Sequence, residues 1–67
     1  MTATLSPNSR DLAKIITEIM EATGSEYTKR NIWLTIHFIR DMPEMHKYYY
    51  AASFTELHDA VSALAID

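Results

Sequence analysis

The sequence of 67 residues contains no cysteine, which excludes disulfide bonds, thiolate catalysis and cysteine-based zinc fingers. Its single glycine excludes the glycine-rich loops whose backbone amides bind phosphate. No apolar run approaches the roughly 18 to 20 residues that cross a membrane, and no basic segment precedes an apolar stretch after Met1. We therefore expect an unprocessed cytoplasmic protein that neither spans a membrane nor binds a nucleotide.

A strong charge of one sign is also lacking, because six basic and nine acidic residues give a net charge of only −3. That balance is too weak for a nucleic-acid mimic and has the wrong sign for a typical DNA-binding protein. The chain is 48% apolar and 22% charged, far from the composition of a disordered segment. Its length permits one small core, so residues 1–67 are expected to form a single domain.

A helix is predicted near the start of the chain, over residues 7–23. Ser6 can cap it, and Pro7 suits the first helical position because an amide there would have no partner. Gly24 suits the left-handed conformation at the end of a helix. The apolar residues between these signals recur at helical intervals and are Leu12, Ile15, Ile16, Ile19 and Met20.

A second helix is predicted from Phe54 to about residue 65. Ser53 and Glu56 have the Ser-x-x-Glu spacing of a capping box, in which each side chain accepts a hydrogen bond from the other residue's backbone amide. The apolar residues at helical spacing are Phe54, Leu57, Ala60, Val61 and Leu64. Helices therefore flank the middle of the chain.

Residues 31–40 are interpreted as a β-strand. Every second residue from Ile32 to Phe38 is apolar, and the segment is rich in the β-branched and aromatic types that strands favour. Residues 41–45 contain a proline and are typical of a connection, and residues 47–52 supply a second, aromatic strand. The two strands are expected to form an antiparallel hairpin.

The predicted fold class is therefore α+β, a small domain of order α-β-β-α in which two amphipathic helices pack on the hairpin. Because a two-stranded ribbon leaves both edges unpaired, we expect a homodimer with a four-stranded sheet. The alternative is an all-α three-helix fold in which residues 26–41 form the central helix. The inward-facing residues of the hairpin would be Ile32, Leu34, Ile36, Phe38, Tyr48, Tyr50 and Ala52.

The other face of the hairpin is expected to bind another protein. It carries two large aromatic residues and an isoleucine, and an apolar patch on so small a molecule usually marks a contact. Tryptophan, tyrosine and arginine are also enriched at interface hot spots. The predicted partner-binding residues are Trp33, His37, Ile39, Arg40, Lys47 and Tyr49. In the competing interpretation, Trp33 and Tyr49 belong to the core.

No catalytic residue, metal ligand or cofactor is predicted. The three histidines lack the His-x-x-x-His spacing that puts two imidazoles on one helical face. His58 and Asp59 lie near serines, but without the strand-turn-helix elbow or glycine-rich turn that gives a hydrolase triad its geometry. We therefore do not expect an enzyme.

Two functions remain open from the sequence. The first is a small non-catalytic regulator, inhibitor or adaptor that binds a larger protein, of a size and composition similar to modules encoded by phages and mobile elements. The second is a small nucleic-acid-binding transcription regulator, in which basic residues attract the backbone and aromatic rings stack on bases. Its basic residues would be Lys29, Arg30, Arg40 and Lys47.

Overall fold

The computed structural model describes residues 5–67, and this part of the chain folds into four α-helices. No strand occurs within it. Short connections join the helices, and α1 and α2 each pack against all the other helices of this bundle. The helices are α1 (Pro7–Thr23), α2 (Lys29–Asp41), α3 (His46–Ala51) and α4 (Phe54–Leu64).

The predicted hairpin is wrong, and with it the α+β fold class. Residues 31–40, predicted as the first strand, lie within α2, and most of residues 47–52 lie within α3. The all-α alternative is closer, although it contains three helices and the structure has four over residues 5–67. Because these residues form no sheet, a homodimer built by extending a sheet has no basis.

The buried side of α2 explains why this segment is helical. Ile32, Ile36 and Ile39 lie within about 60° of one another at 100° per residue, and all three side chains are fully buried. The alternation that favours a strand does not match burial, because Leu34 is 56% exposed and Phe38 is 53% exposed. These two apolar residues lie outside the helical stripe, and together with Ile32 and Ile36 they produce the alternation that is typical of a strand.

The predicted helices at the two ends are confirmed. Ser6 caps α1, and Gly24 ends it in the left-handed conformation with a φ of 67°. Ser53 and Glu56 form both hydrogen bonds of the capping box at the start of α4. Local capping signals therefore determine where these two helices begin, and a glycine determines where α1 ends.

A single apolar core joins α1, α2 and α4. Each of these helices contributes three buried apolar side chains, whereas α3 contributes none. Helix α3 instead covers the core with the half-buried rings of Tyr48 and Tyr49. The buried residues of the core are Leu12, Ile16, Met20, Ile32, Ile36, Ile39, Leu57, Ala60 and Val61.

The buried stripe of α2 allows a direct test of the helix. Ile39→Ala should lower the free energy of unfolding by about 2 to 4 kcal/mol, because it leaves a cavity in the core. Leu34→Ala should change it by only about 0.5 kcal/mol, because that side chain lies at the surface. Urea denaturation followed by circular dichroism measures both. A larger loss for Leu34→Ala would contradict the helix, since a strand would point Leu34 inward and Ile39 outward.

Candidate protein-binding surface

A row of aromatic rings crosses the surface from α2 to α4, and we call Trp33, His58 and Phe54 the aromatic strip. The ring centroids of Trp33 and His58 are 5.0 Å apart with an interplanar angle of 66°. Those of His58 and Phe54 are 4.4 Å apart. Trp33 is half-buried, His58 is exposed, and Phe54 is 75% exposed. The strip is therefore continuous, with one end packed and the other open to water.

The aromatic strip lies at the edge of the core. Trp33 directly follows the buried Ile32, and His58 directly follows the buried Leu57. Since each residue of a helix is turned by about 100° from the one before it, both rings lie just outside the buried stripes of their helices. Trp33 also packs against the core residues, and His58 packs against Trp33. Their contact covers one side of the core where α2 and α4 meet.

Hydrogen bonds at Glu56 fix the first turn of α4, which carries two rings of the aromatic strip. The carboxylate accepts hydrogen bonds from the Ser53 backbone amide at 2.9 Å and from the Ser6 hydroxyl at 2.5 Å. The backbone carbonyl of Glu56 accepts a hydrogen bond of 3.0 Å from the hydroxyl of Ser9, which is fully buried. The start of α1 is thereby joined to the start of α4, and this link positions the strip.

The same hydrogen bonds lower the pKa of the Glu56 carboxyl below its usual value. The Ser6 hydroxyl is the largest cause, the Ser53 backbone amide is the next, and partial burial opposes them. Because the pKa is lower in the folded state than in the unfolded chain, ionised Glu56 stabilises the fold above the unfolded pKa. That contribution is lost as the pH falls through the folded pKa.

The structure does not bring the six predicted partner-binding residues to one surface. Trp33 belongs to the aromatic strip, and His37 is exposed one turn further along α2. Ile39 is fully buried, so it belongs to the core and not to a binding surface as predicted. The reason is the helical period, which places Ile39 on the same stripe as Ile32 and Ile36, whereas a strand would place it on the opposite face.

The other three predicted residues lie near the end of α2 and on α3. Arg40 is half-exposed and pairs with Asp41, with 3.0 Å between Nε and Oδ1, and this pair lowers the pKa of the Asp41 carboxyl. The Lys47 ammonium lies 5.2 Å from the centroid of the Tyr48 ring. Tyr49 is half-buried against the core. Trp33 and Tyr49 thus both combine core packing with partial exposure.

The predicted partner-binding residues include neither Phe54 nor His58. Helical spacing assigns Phe54 to the apolar face of α4, yet its side chain is largely exposed. Helical spacing gave no contrary signal, because Phe54 lies about 20° from the buried Val61 around the helix axis. The ring is exposed because Phe54 is the first residue of α4, one turn before Leu57, the first buried residue of this helix. The contact of His58 with Trp33 depends on how α2 and α4 pack, which no local pattern shows.

The basic residues considered for nucleic-acid binding are divided between two ends of the bundle. Lys29 and Arg30 begin α2 and Arg40 lies near its end, about 15 Å further along the axis. Lys47 lies beside Asp11 in a groove between α3 and α1. The aromatic strip is therefore not surrounded by a continuous basic surface, and the geometry does not favour this function.

The Glu56 hydrogen bonds predict that the free energies of unfolding of the wild type and of Glu56→Gln differ by an amount that depends on pH. Glu56→Gln should be less stable than the wild type at neutral pH, because the amide is uncharged and a weaker acceptor for Ser6 and Ser53. The difference in free energy of unfolding should become smaller as the pH is lowered, because acid protonates the wild-type carboxyl and weakens its hydrogen bonds with Ser6 and Ser53. Urea denaturation at a series of pH values measures it. A difference that stays constant from neutral to acidic pH would contradict this role.

Comparison with protein-family models, curated proteins and solved structures finds no match to this chain. Over residues 5–67, no helix has both the length and the apolar character needed to span a membrane. The same residues include no group of three or more His, Asp or Glu side chains placed to hold a metal ion.

Proposed function

We propose that the protein is a small non-catalytic regulator that binds a larger protein through the aromatic strip. The observation that supports this most strongly is the ring of Phe54, which is 75% exposed at the end of a continuous row of rings. Covering that row would remove apolar surface from water, which is the main favourable term in protein association. Aromatic anchors of this kind are also typical of interface hot spots.

The backbone that carries the aromatic strip is held by packing and hydrogen bonds, which lowers the entropic cost of binding. Trp33 packs against the core, and hydrogen bonds from two parts of the chain hold the first turn of α4. The backbone under Phe54 is therefore already ordered before a partner arrives. Binding then costs little additional ordering of this surface, which raises the affinity available from a small contact.

Such a protein acts by covering a surface of its partner or by recruiting that partner. We propose the cytoplasm as the place of action, because a chain without cysteine suits a reducing compartment. The partner that fits the strip is a folded protein with an apolar pocket or groove able to receive the Phe54 ring.

The proposal is tested by changing Phe54 and a matched control. The tagged protein captures its partner from an extract of its native cells, and the purified partner is titrated while the emission of Trp33, the only tryptophan, is followed. Phe54→Ser should raise the dissociation constant about thirtyfold, as loss of a hot spot does. Ile66→Ser, which changes a residue 68% exposed outside the strip, should change it less than about twofold.

Salt separates this proposal from nucleic-acid binding. An apolar protein interface should keep its affinity from low to high salt, whereas phosphate contacts would lose affinity steeply. Circular dichroism of both variants should show the helical content of the wild type, which controls for unfolding. Recovery of nucleic acid with a steep salt dependence, or equal affinity of Phe54→Ser and the wild type for the captured protein, would contradict the proposal.

A further inference from the structure

The side of α2 away from the core carries a second apolar surface with a charge at each end. We call Arg30, Leu34, Phe38 and Asp41 the outer face of α2. All four residues are exposed, and they lie within about 80° of the helix circumference at 100° per residue. The positive charge lies near the start of the helix, the negative charge lies at its end, and the two apolar side chains lie between them.

An open groove beside the two apolar residues extends this surface. It has a volume of about 260 Å³ and lies between α1 and α2. Ile19 and Thr23 line it from α1, and Leu34, Thr35 and Phe38 line it from α2. The apolar part of the outer face is therefore wide enough to receive side chains from another helix.

The charges of the outer face are unfavourable for an isolated helix. The positive end of the helix dipole lies near Arg30, and the negative end lies near Asp41. Over residues 5–67, no carboxylate forms an ion pair with Arg30, and Asp41 pairs with its neighbour Arg40. The carboxylate of Asp67 accepts a hydrogen bond from the Lys29 backbone amide, which satisfies the helix end without pairing the Arg30 guanidinium. A partner with the opposite order of charges would relieve this arrangement.

We propose that the outer face of α2 pairs with the same face of a second copy of the chain, with the two α2 helices antiparallel about a two-fold axis. Arg30 then lies against the partner's Asp41, and Leu34 lies against the partner's Phe38. Each carboxylate also comes close to the positive end of the other helix. A parallel pairing would instead place like charges together, so the charge order selects the antiparallel one.

The spacing along α2 fits this pairing. The midpoint between Leu34 and Phe38 is residue 36, and the midpoint between Arg30 and Asp41 falls between residues 35 and 36. At a rise of about 1.5 Å per residue, the two midpoints differ by less than about 1 Å along the axis. One two-fold axis therefore matches both the apolar and the charged pairs, as a symmetric interface requires.

The dimer interface is separate from the aromatic strip. Leu34 and Phe38 border the groove toward α1, whereas Trp33 contacts His58 on the side toward α4. A dimer would accordingly present two copies of the strip. This inference does not depend on the proposed function, because self-association is measured on the purified protein alone.

Two opposite charge reversals test the pairing. Arg30→Asp places two carboxylates together at each end of the dimer, and Asp41→Arg places two guanidinium groups together. Each variant alone should raise the dimer dissociation constant about tenfold or more, measured by sedimentation equilibrium over a range of concentrations. An equimolar mixture of the two should form heterodimers with an affinity close to that of the wild type, because both charged contacts are then restored.

The reversals are chosen so that folding is preserved. An acid near the start of α2 and a base at its end both agree with the helix dipole, so each variant should remain helical by circular dichroism. Lys14→Asp, a reversal on the side of α1 toward α3, serves as the matched control and should leave the dimer unchanged. A wild type that is monomeric at every concentration, or a dimer that neither reversal weakens, would overturn the proposal. So would a mixture that fails to associate.

Discussion

A chain of 67 residues can bury only one narrow stripe of each helix, and the rest of this structure depends on that limit. In α2 the stripe consists of three isoleucines that meet the buried residues of α1 and α4. Apolar residues beyond the stripe have no place in so small a core. Leu34 and Phe38 are therefore left at the surface, and Phe54 is exposed because it is the first residue of α4. A partner that covered these side chains would remove apolar surface from water.

The ends of the chain were predictable because their signals are local. Ser6 and Gly24 bound α1, and the spacing of Ser53 and Glu56 marks the start of α4. The middle was not predictable, because Leu34 and Phe38 lie outside the helical stripe and complete an alternation that is typical of a strand. Ile39 is the residue that decides between them, since it extends the helical stripe and breaks the alternation. In residues 46–51, the contacts of α3 with the core outweigh the strand preference of three successive tyrosines.

The candidate surface was predictable only in part. Trp33 is identifiable from its residue type, and its position at the edge of the core follows once α2 is recognised as a helix. Phe54 and His58 join it only through the packing of α4 on α2, which is a tertiary contact. The alternation of a strand places Ile39 on the face opposite Ile36, which predicts a surface position. The helical period places it on the same stripe as Ile36, where it is buried.

The account depends on α2 having one buried side and one side available to a partner. Solvent paramagnetic relaxation of methyl-labelled protein, recorded at low and high concentration, measures both sides at once. We expect the methyl groups of Ile32, Ile36 and Ile39 to be protected at both concentrations, and those of Leu34 to be accessible when dilute and protected when concentrated. Protection of Leu34 at every dilution together with accessible methyl groups on Ile39 would contradict the account.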